Sequence, residues 1–105
     1  MISRLWHGWT IPQNADAYER LLREEIFPGI LARKIDGFRS IRLLRRDVGG
    51  EVEFITDMVF DSLDAVKAFA GPDYEHGVVP PKARALLARF DATSQHYEIN
   101  DTRQN

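Results

Sequence analysis

Residues 51–60, Glu51-Val52-Glu53-Phe54-Ile55-Thr56-Asp57-Met58-Val59-Phe60, alternate in character from one residue to the next. Alternation of this kind marks a β-strand, whose successive side chains point to opposite faces of a sheet. Val52, Phe54, Met58 and Phe60 point one way, with Thr56. Glu51, Glu53 and Asp57 point the other way, with Ile55 and Val59. A face that meets only water has no need of Ile55 and Val59. That second face is half apolar and calls for a covering partner. Whatever fold the chain adopts must therefore cover a sheet on both sides.

The strand has a neighbour. Gly49-Gly50 supplies a hairpin turn, and residues 38–47 read as the strand before it, with Ile41 and Leu43 on one side and Phe38 and Leu44 on the other. Arg39, Arg42, Arg45 and Arg46 make the hairpin locally basic. Glu51, Glu53 and Asp57 stand across from them and predict a salt-bridged, solvated surface. Residues 2–10 mix β-branched and aromatic types up to Pro12 and read as the first strand. Asn14 is placed to cap a helix on which Tyr18, Leu21, Leu22 and Ile26 recur at helical spacing. Pro28-Gly29 should end or kink it. Ser62 caps a second helix with Leu63, Val66 and Phe69 on its core face, and Gly71-Pro72 stops it. Residues 73–80 form a loop, Pro81 opens a short helix that buries Leu86 and Leu87, and residues 92–99 make the last strand. The polar tail is 100–105.

The order strand, helix, strand, strand, helix, strand is the split βαβ, ferredoxin-like arrangement, an α+β fold. Right-handed crossovers place the first strand between the last and the third, in a four-stranded antiparallel sheet with helices on one face. A second copy of the chain is the simplest cover for the other face, giving a homodimer.

The 105 residues suit a single domain, over 1–99. A net charge of −2 gives no dominant basic stripe, so nucleic acid is not an expected partner. No apolar run reaches the roughly 20 residues that span a bilayer, so no membrane partner is expected either. The chain has no cysteine, which removes thiolate catalysis and zinc–thiolate sites and suits a reducing cytoplasm.

Three stretches carry a resemblance: Arg4-Leu5-Trp6-His7-Gly8 at the start, Phe60-Asp61-Ser62-Leu63-Asp64-Ala65-Val66-Lys67-Ala68-Phe69-Ala70-Gly71 in the middle, and His96-Tyr97-Glu98 at the end. Together they resemble the antibiotic biosynthesis monooxygenase-like proteins of the dimeric α/β-barrel superfamily. The resemblance spans residues 2–99. It implies two sheets packed face to face in a homodimer, and a pocket in each subunit between sheet and helices. It also implies chemistry drawn from a varied set, which includes cofactor-independent monooxygenation of aromatic or phenolic molecules and haem degradation. The haem-degrading members use an asparagine on the first strand, a tryptophan just before the second helix and a histidine after it. Here the first strand has no asparagine and Phe60 stands at the tryptophan position, while His76 lies in roughly the right segment.

Few residues can do chemistry. Leu5, His7 and Trp9 share one face of the first strand, and the resemblance turns that face toward the helices. An antiparallel pairing with the last strand would bring His7 near His96. Two imidazoles near neutral pH can act as base and acid or hold a phenol, which makes them the candidate catalytic residues. The alternative is a pair of packed, purely structural histidines. Trp9, Phe54, Met58 and Phe60 are the candidate substrate-binding wall, with Tyr74 and His76 on the loop; each is equally at home as core or exposed loop. Trp6, on the opposite face from His7, is expected at the dimer contact. Arg84 is expected to face solvent.

The three histidines are far apart in sequence, and no carboxylate joins them at ligand spacing, so no metal is expected. No phosphate-cradling glycine loop opens a helix, and no organic cofactor is expected. The expected function is oxygenation of an aromatic or phenolic small molecule without a cofactor. The alternatives are a non-catalytic dimer that binds a small apolar ligand, and a haem-binding protein.

Overall fold

A computed structural model describes all of residues 1–105. The elements are β1 (Ile2–Thr10), α1 (Pro12–Leu21), a π-helical turn (Leu22–Ile26), α2 (Phe27–Ala32), β2 (Phe38–Asp47), β3 (Val52–Phe60), α3 (Leu63–Ala70), α4 (Pro81–Leu86), β4 (Arg89–Phe90) and β5 (Gln95–Glu98). The sheet runs β2-β3-β1, with β4 and β5 both pairing on the far side of β1, and every pairing is antiparallel. This is the expected ferredoxin-like α+β arrangement, its last strand broken into two pieces.

The break has a cause. Gly8 pairs with Phe90 and Arg4 pairs with His96, so the register slips between β4 and β5. Residues of the 73–77 loop fill the gap. Ser94 N–H donates to the Glu75 carbonyl at 2.7 Å, Gly77 N–H donates to the Ala92 carbonyl at 2.9 Å, and His76 bridges to Thr93.

Four local expectations need correction. Helix α1 starts at Pro12, with extended Ile11 before it. Proline suits a first helical position because that N–H has no intrahelical acceptor. Asn14 lies inside the first turn, where its side-chain amide reaches the Leu86 carbonyl at 3.4 Å. Of an end or a kink at Pro28, the end does not occur. The backbone widens over Leu22–Ile26, the Phe27 N–H bonds to the Leu22 carbonyl, and Pro28 falls in the first turn of α2, where its missing donor is harmless. Phe38 joins the core beside Phe60, because a bulge between Phe38 and Ser40 shifts the alternation. The last strand is the fourth, broken as described.

Both helical layers pack on one face of the sheet. One cluster joins Ala15, Tyr18 and Leu22 to Val52, Phe54 and Ala83; a second joins Ala65, Val66 and Phe69 to Met58 and Phe60. Full burial of side chains such as Val66 and Phe60 contributes roughly 1.5–3 kcal/mol each. Ser62 caps α3 as expected, its hydroxyl accepting from Ala65 N–H at 3.3 Å. No helix is long and apolar enough to cross a membrane.

The open face carries Leu5, His7 and Trp9 from β1, Ile55 and Val59 from β3, and Leu44 from β2. Its charges are neutralised locally. Arg42 meets Asp57 at 2.6 Å, Arg46 meets Glu53 at 3.0 Å and Arg89 meets Glu51 at 3.0 Å. Arg45 turns instead to Asp16 and Glu19 on α1, and Arg39 to Asp61.

Candidate functional site

The two core clusters do not close completely on each other. Between them lies a cavity of about 60 Å³. Tyr18, Leu22 and Ala83 bound it from the first cluster, and Met58 and Phe69 from the second. Ile26, Phe27 and Ile30 close it from the helix that contains the π-turn, and Val78, Val79 and Pro80 close it from the loop before α4. Val78 is 55% exposed and marks the mouth. The sheet contributes Arg4, Trp6, Thr56 and Met58 to the floor, and Ser94 enters from the gap between β4 and β5.

The floor reverses the expected facing of β1. Arg4 pairs with Met58, Trp6 with Thr56 and Gly8 with Phe54, all on the covered side. Leu5, His7 and Trp9 pair with Asp57, Ile55 and Glu53, on the open side. Trp6 is thus the cavity tryptophan and Trp9 is the open-face one. Trp9 lies under the guanidinium of Arg89, 3.9 Å from its ring centre.

The strand register separates the histidines. His96 sits opposite Arg4, three positions from His7 along β1, and an odd offset puts the two imidazoles on opposite faces. No His7–His96 pair forms. His7 Nδ1 lies 3.2 Å from Glu53, and that bond, with Arg46 beside it, holds the Glu53 carboxyl below its usual range. His96 lies on the covered side, where burial and then the charge of Arg4 push its pKa down, opposed by Glu75. The neutral ring accepts from Arg4 Nη1 at 2.9 Å, and Tyr74 packs edge-on against it.

The other candidates divide. Met58 lines the cavity; Phe54 and Phe60 lie behind it in the core. Tyr74 and His76 act through their backbone, each giving its carbonyl to the Arg4 guanidinium. The His76 side chain is exposed, near Asp73. Arg84 lies on the surface of α4 over the Phe90 ring. No three His, Asp or Glu side chains converge in a way that would hold a metal ion.

Three residues that matter here were not among the candidates. Arg4 is 3% exposed, its only side-chain partners are two carbonyls and an imidazole, and none of the ion pairs includes it. Burial lowers its pKa. Phe69 adds a ring face 5.6 Å from the guanidinium carbon. Ser94 is 6% exposed and its hydroxyl has no hydrogen-bond partner in the protein. Thr10 shares that condition but lies away from the cavity. Trp6 donates from Nε1 to the Asp91 carbonyl at 2.8 Å. Its ring is held by close approaches: a Cβ on Gly77 would lie 2.5 Å from Trp6 Nε1, a distance only glycine permits, and one on Gly8 would lie 3.1 Å from the ring, a tight fit. The sequence signal for Arg4 and Trp6 was their shared parity on β1.

No family model matches the chain, and no curated protein matches it in sequence. Solved structures do match in fold. A candidate antibiotic biosynthesis monooxygenase from Bacillus cereus is 18% identical with a TM-score of 0.61, over 99% of this chain and 94% of that one. Rv0793 from Mycobacterium tuberculosis is 24% identical with a TM-score of 0.58, over 98% of each chain. SnoaB, a cofactor-independent oxygenase from Streptomyces nogalater, is 20% identical with a TM-score of 0.59, over 96% of this chain and 95% of that one. The chain therefore has the fold of these proteins from end to end.

Proposed function

We propose that this protein is a small oxygenase, of the antibiotic biosynthesis monooxygenase kind, which oxidises an aromatic or phenolic molecule without a metal or organic cofactor. The observation that carries the reading is an apolar cavity with a buried cation on its floor, in a fold shared with a cofactor-independent oxygenase. Such a reaction needs a substrate that supplies its own electrons. A phenol conjugated to a methylene group does so once it ionises. The anion gives one electron to dioxygen, the radical and superoxide combine with a proton to a hydroperoxide, and loss of water leaves a carbonyl. The balance is CH₂ + O₂ → C=O + H₂O.

In this reading the protein supplies a dry, shaped site and favours the anion. His96 is proposed to act through Arg4: its one basic nitrogen accepts from that guanidinium, and the substrate enters as the anion with its proton left to solvent. Met58 and Trp6 are the proposed contacts for the ring, and Tyr74 and His76 hold Arg4 in place. His7 and Trp9 belong to a different surface. We infer that the open face is covered by a second copy of the chain, because it exposes Leu44 and half-exposes Leu5, Ile55 and Val59 beside charges that are already paired. With no cysteine in the chain, the cytoplasm is the proposed compartment.

At about 60 Å³ the cavity is smaller than the roughly 150 Å³ that accommodates a benzene ring. Ring binding therefore requires the walls to part, and the π-turn and the 78–80 loop are the walls built from irregular backbone. The test is oxygen uptake by the pure protein with a hydroxylated anthrone and with single-ring phenols. Uptake above the buffer rate, lost in His96→Ala and kept in His7→Ala, supports the reading. No uptake across the series overturns it, and ligand binding without uptake would make the protein a carrier.

A further inference from the structure

The covered face of the sheet holds one cation with no carboxylate in ion-pair contact; Glu75, which acts through space on His96, is exposed and forms no ion pair there. Arg4 lies 3% exposed in the cavity floor, and its hydrogen bonds go to the Tyr74 and His76 carbonyls and the His96 imidazole, all neutral groups. Every other arginine in the sheet meets a carboxylate: Arg39, Arg42, Arg45, Arg46 and Arg89 each form an ion pair. A buried cation normally carries a partner, since an unpaired charge in an apolar setting is costly. A guanidinium has five N–H donors in a rigid fork, and the three bonds leave donors to spare. A second observation comes from another part of the chain. Ser94, in the gap between β4 and β5, places an unpartnered buried hydroxyl on the same cavity. The remaining walls are mostly apolar, with Phe69, Met58 and Leu22 among them, and Thr56 adds a hydroxyl from the floor.

We infer that this cavity is built for an anionic oxygen on an apolar ring, with Arg4 as its counter-ion and Ser94 as a hydrogen-bond donor. The carbonyls of Tyr74 and His76 aim the guanidinium, and the His96 ring accepts from it without adding charge. A phenolate fits this site better than the neutral phenol, because only the anion fills the role of the missing carboxylate. The inference rests on the same cavity as the oxygenase reading and narrows its substrate to one that binds ionised.

The test uses 4-nitrophenol, whose phenolate absorbs at longer wavelength than the phenol and which has no methylene to oxidise. Titrating it across pH with and without the intact protein reads the preference directly. A preference of at least tenfold for the anion lowers the probe's apparent pKa by about one unit. Arg4→Gln should abolish that shift, Arg4→Lys should retain part of it, and Ser94→Ala should reduce it by roughly half. Nitrobenzene, which cannot ionise, should bind equally to the parent protein and to Arg4→Gln. An unshifted probe in the parent protein overturns the inference, as does a full shift in Arg4→Gln. If circular dichroism shows Arg4→Gln to be unfolded, the parent shift and the Ser94→Ala reduction decide, and a shift indifferent to Ser94 counts against the site. A clear shift with no oxygen uptake on the anthrone leaves this inference standing and removes the oxygenase reading. Uptake with no shift does the reverse.

Discussion

The two faces of one sheet are unfinished in opposite ways. On the covered face the apolar groups are packed and a cation, Arg4, lacks a carboxylate in ion-pair contact. On the open face the cations are paired, and Leu44, Ile55 and Val59 lack apolar neighbours from the helices. Adjacent residues of a single strand, Arg4 beside Leu5 and Trp6 beside His7, take part in different incompletions. What each face lacks differs accordingly: a small charged ligand on one side, a broad apolar surface on the other.

The sharpest way to break this contrast is to truncate neighbours that face opposite ways. Phe60→Ala removes a fully buried ring packed between Phe38 and Phe69 and should cost about 3–5 kcal/mol in urea unfolding. Val59→Ala, measured in dilute protein, should cost less than about 1 kcal/mol, as for a half-exposed site. Equal losses would show that the open face is covered within the single chain. Next in size is association. Ile55→Lys sets an unpaired charge in the proposed dimer contact and should weaken self-association by at least about 2 kcal/mol, roughly thirtyfold. Sedimentation should then report a smaller mass for Ile55→Lys, while Thr56→Val on the covered face leaves the mass unchanged. A parent protein that is monomeric at every concentration defeats the open-face reading.

A smaller effect is expected at Gly77. An alanine there drives a methyl group against the Trp6 indole, and roughly 1–2 kcal/mol of stability should be lost, with a shift in tryptophan emission. Unchanged emission would mean that Trp6 is less tightly held than its contacts indicate. The finest distinction is pH. His96 is depressed below its ordinary 6.5, so the unfolded chain takes up its proton first as pH falls. The covered face should lose stability from about neutrality down through the folded pKa of His96, and His96→Gln should remove that slope. Glu53 is depressed below 4.5, so its contribution is present above that value and is lost at lower pH, as the folded-state carboxyl protonates. Thermal melts at successive pH values should show the His96 slope vanish in His96→Gln, while the acid window that Glu53 shares with Asp61 stays in place.

The fold was legible because the alternation in β3 and the turn at Gly49-Gly50 each allow one local structure. The facing of β1 was not. Its inward set is Arg4, Trp6, Gly8 and Thr10, and its outward set is Leu5, His7 and Trp9; hydropathy favours the wrong set. Only the pairing of Trp6 with Thr56 settles it, and that pairing is a tertiary fact. The His7–His96 expectation failed too, since His96 sits opposite Arg4, three positions from His7 and on the other face, and the two-residue slip between β4 and β5 does not change that parity. Ser94 and the backbone roles of Tyr74 and His76 depend on the loop filling that slip, and carbonyl groups leave no mark in a sequence. Asn14 yielded the helix start to Pro12, with Ile11 at the cap position, because the proline ring already holds the first helical dihedral.

The π-turn at Leu22–Ile26 is, in chain arithmetic, an α-helix holding one residue too many. One residue corresponds to about 100° of rotation around a helix axis. Ile26, Phe27 and Ile30 face the cavity because that surplus residue is there. Its removal, at Glu24 for instance, would let the helix wind regularly and swing all three to a new bearing, while their composition stayed the same. The shape of this cavity is thus recorded as a count of residues as much as a choice of them, and a single-codon insertion or deletion is a larger step for it than most substitutions.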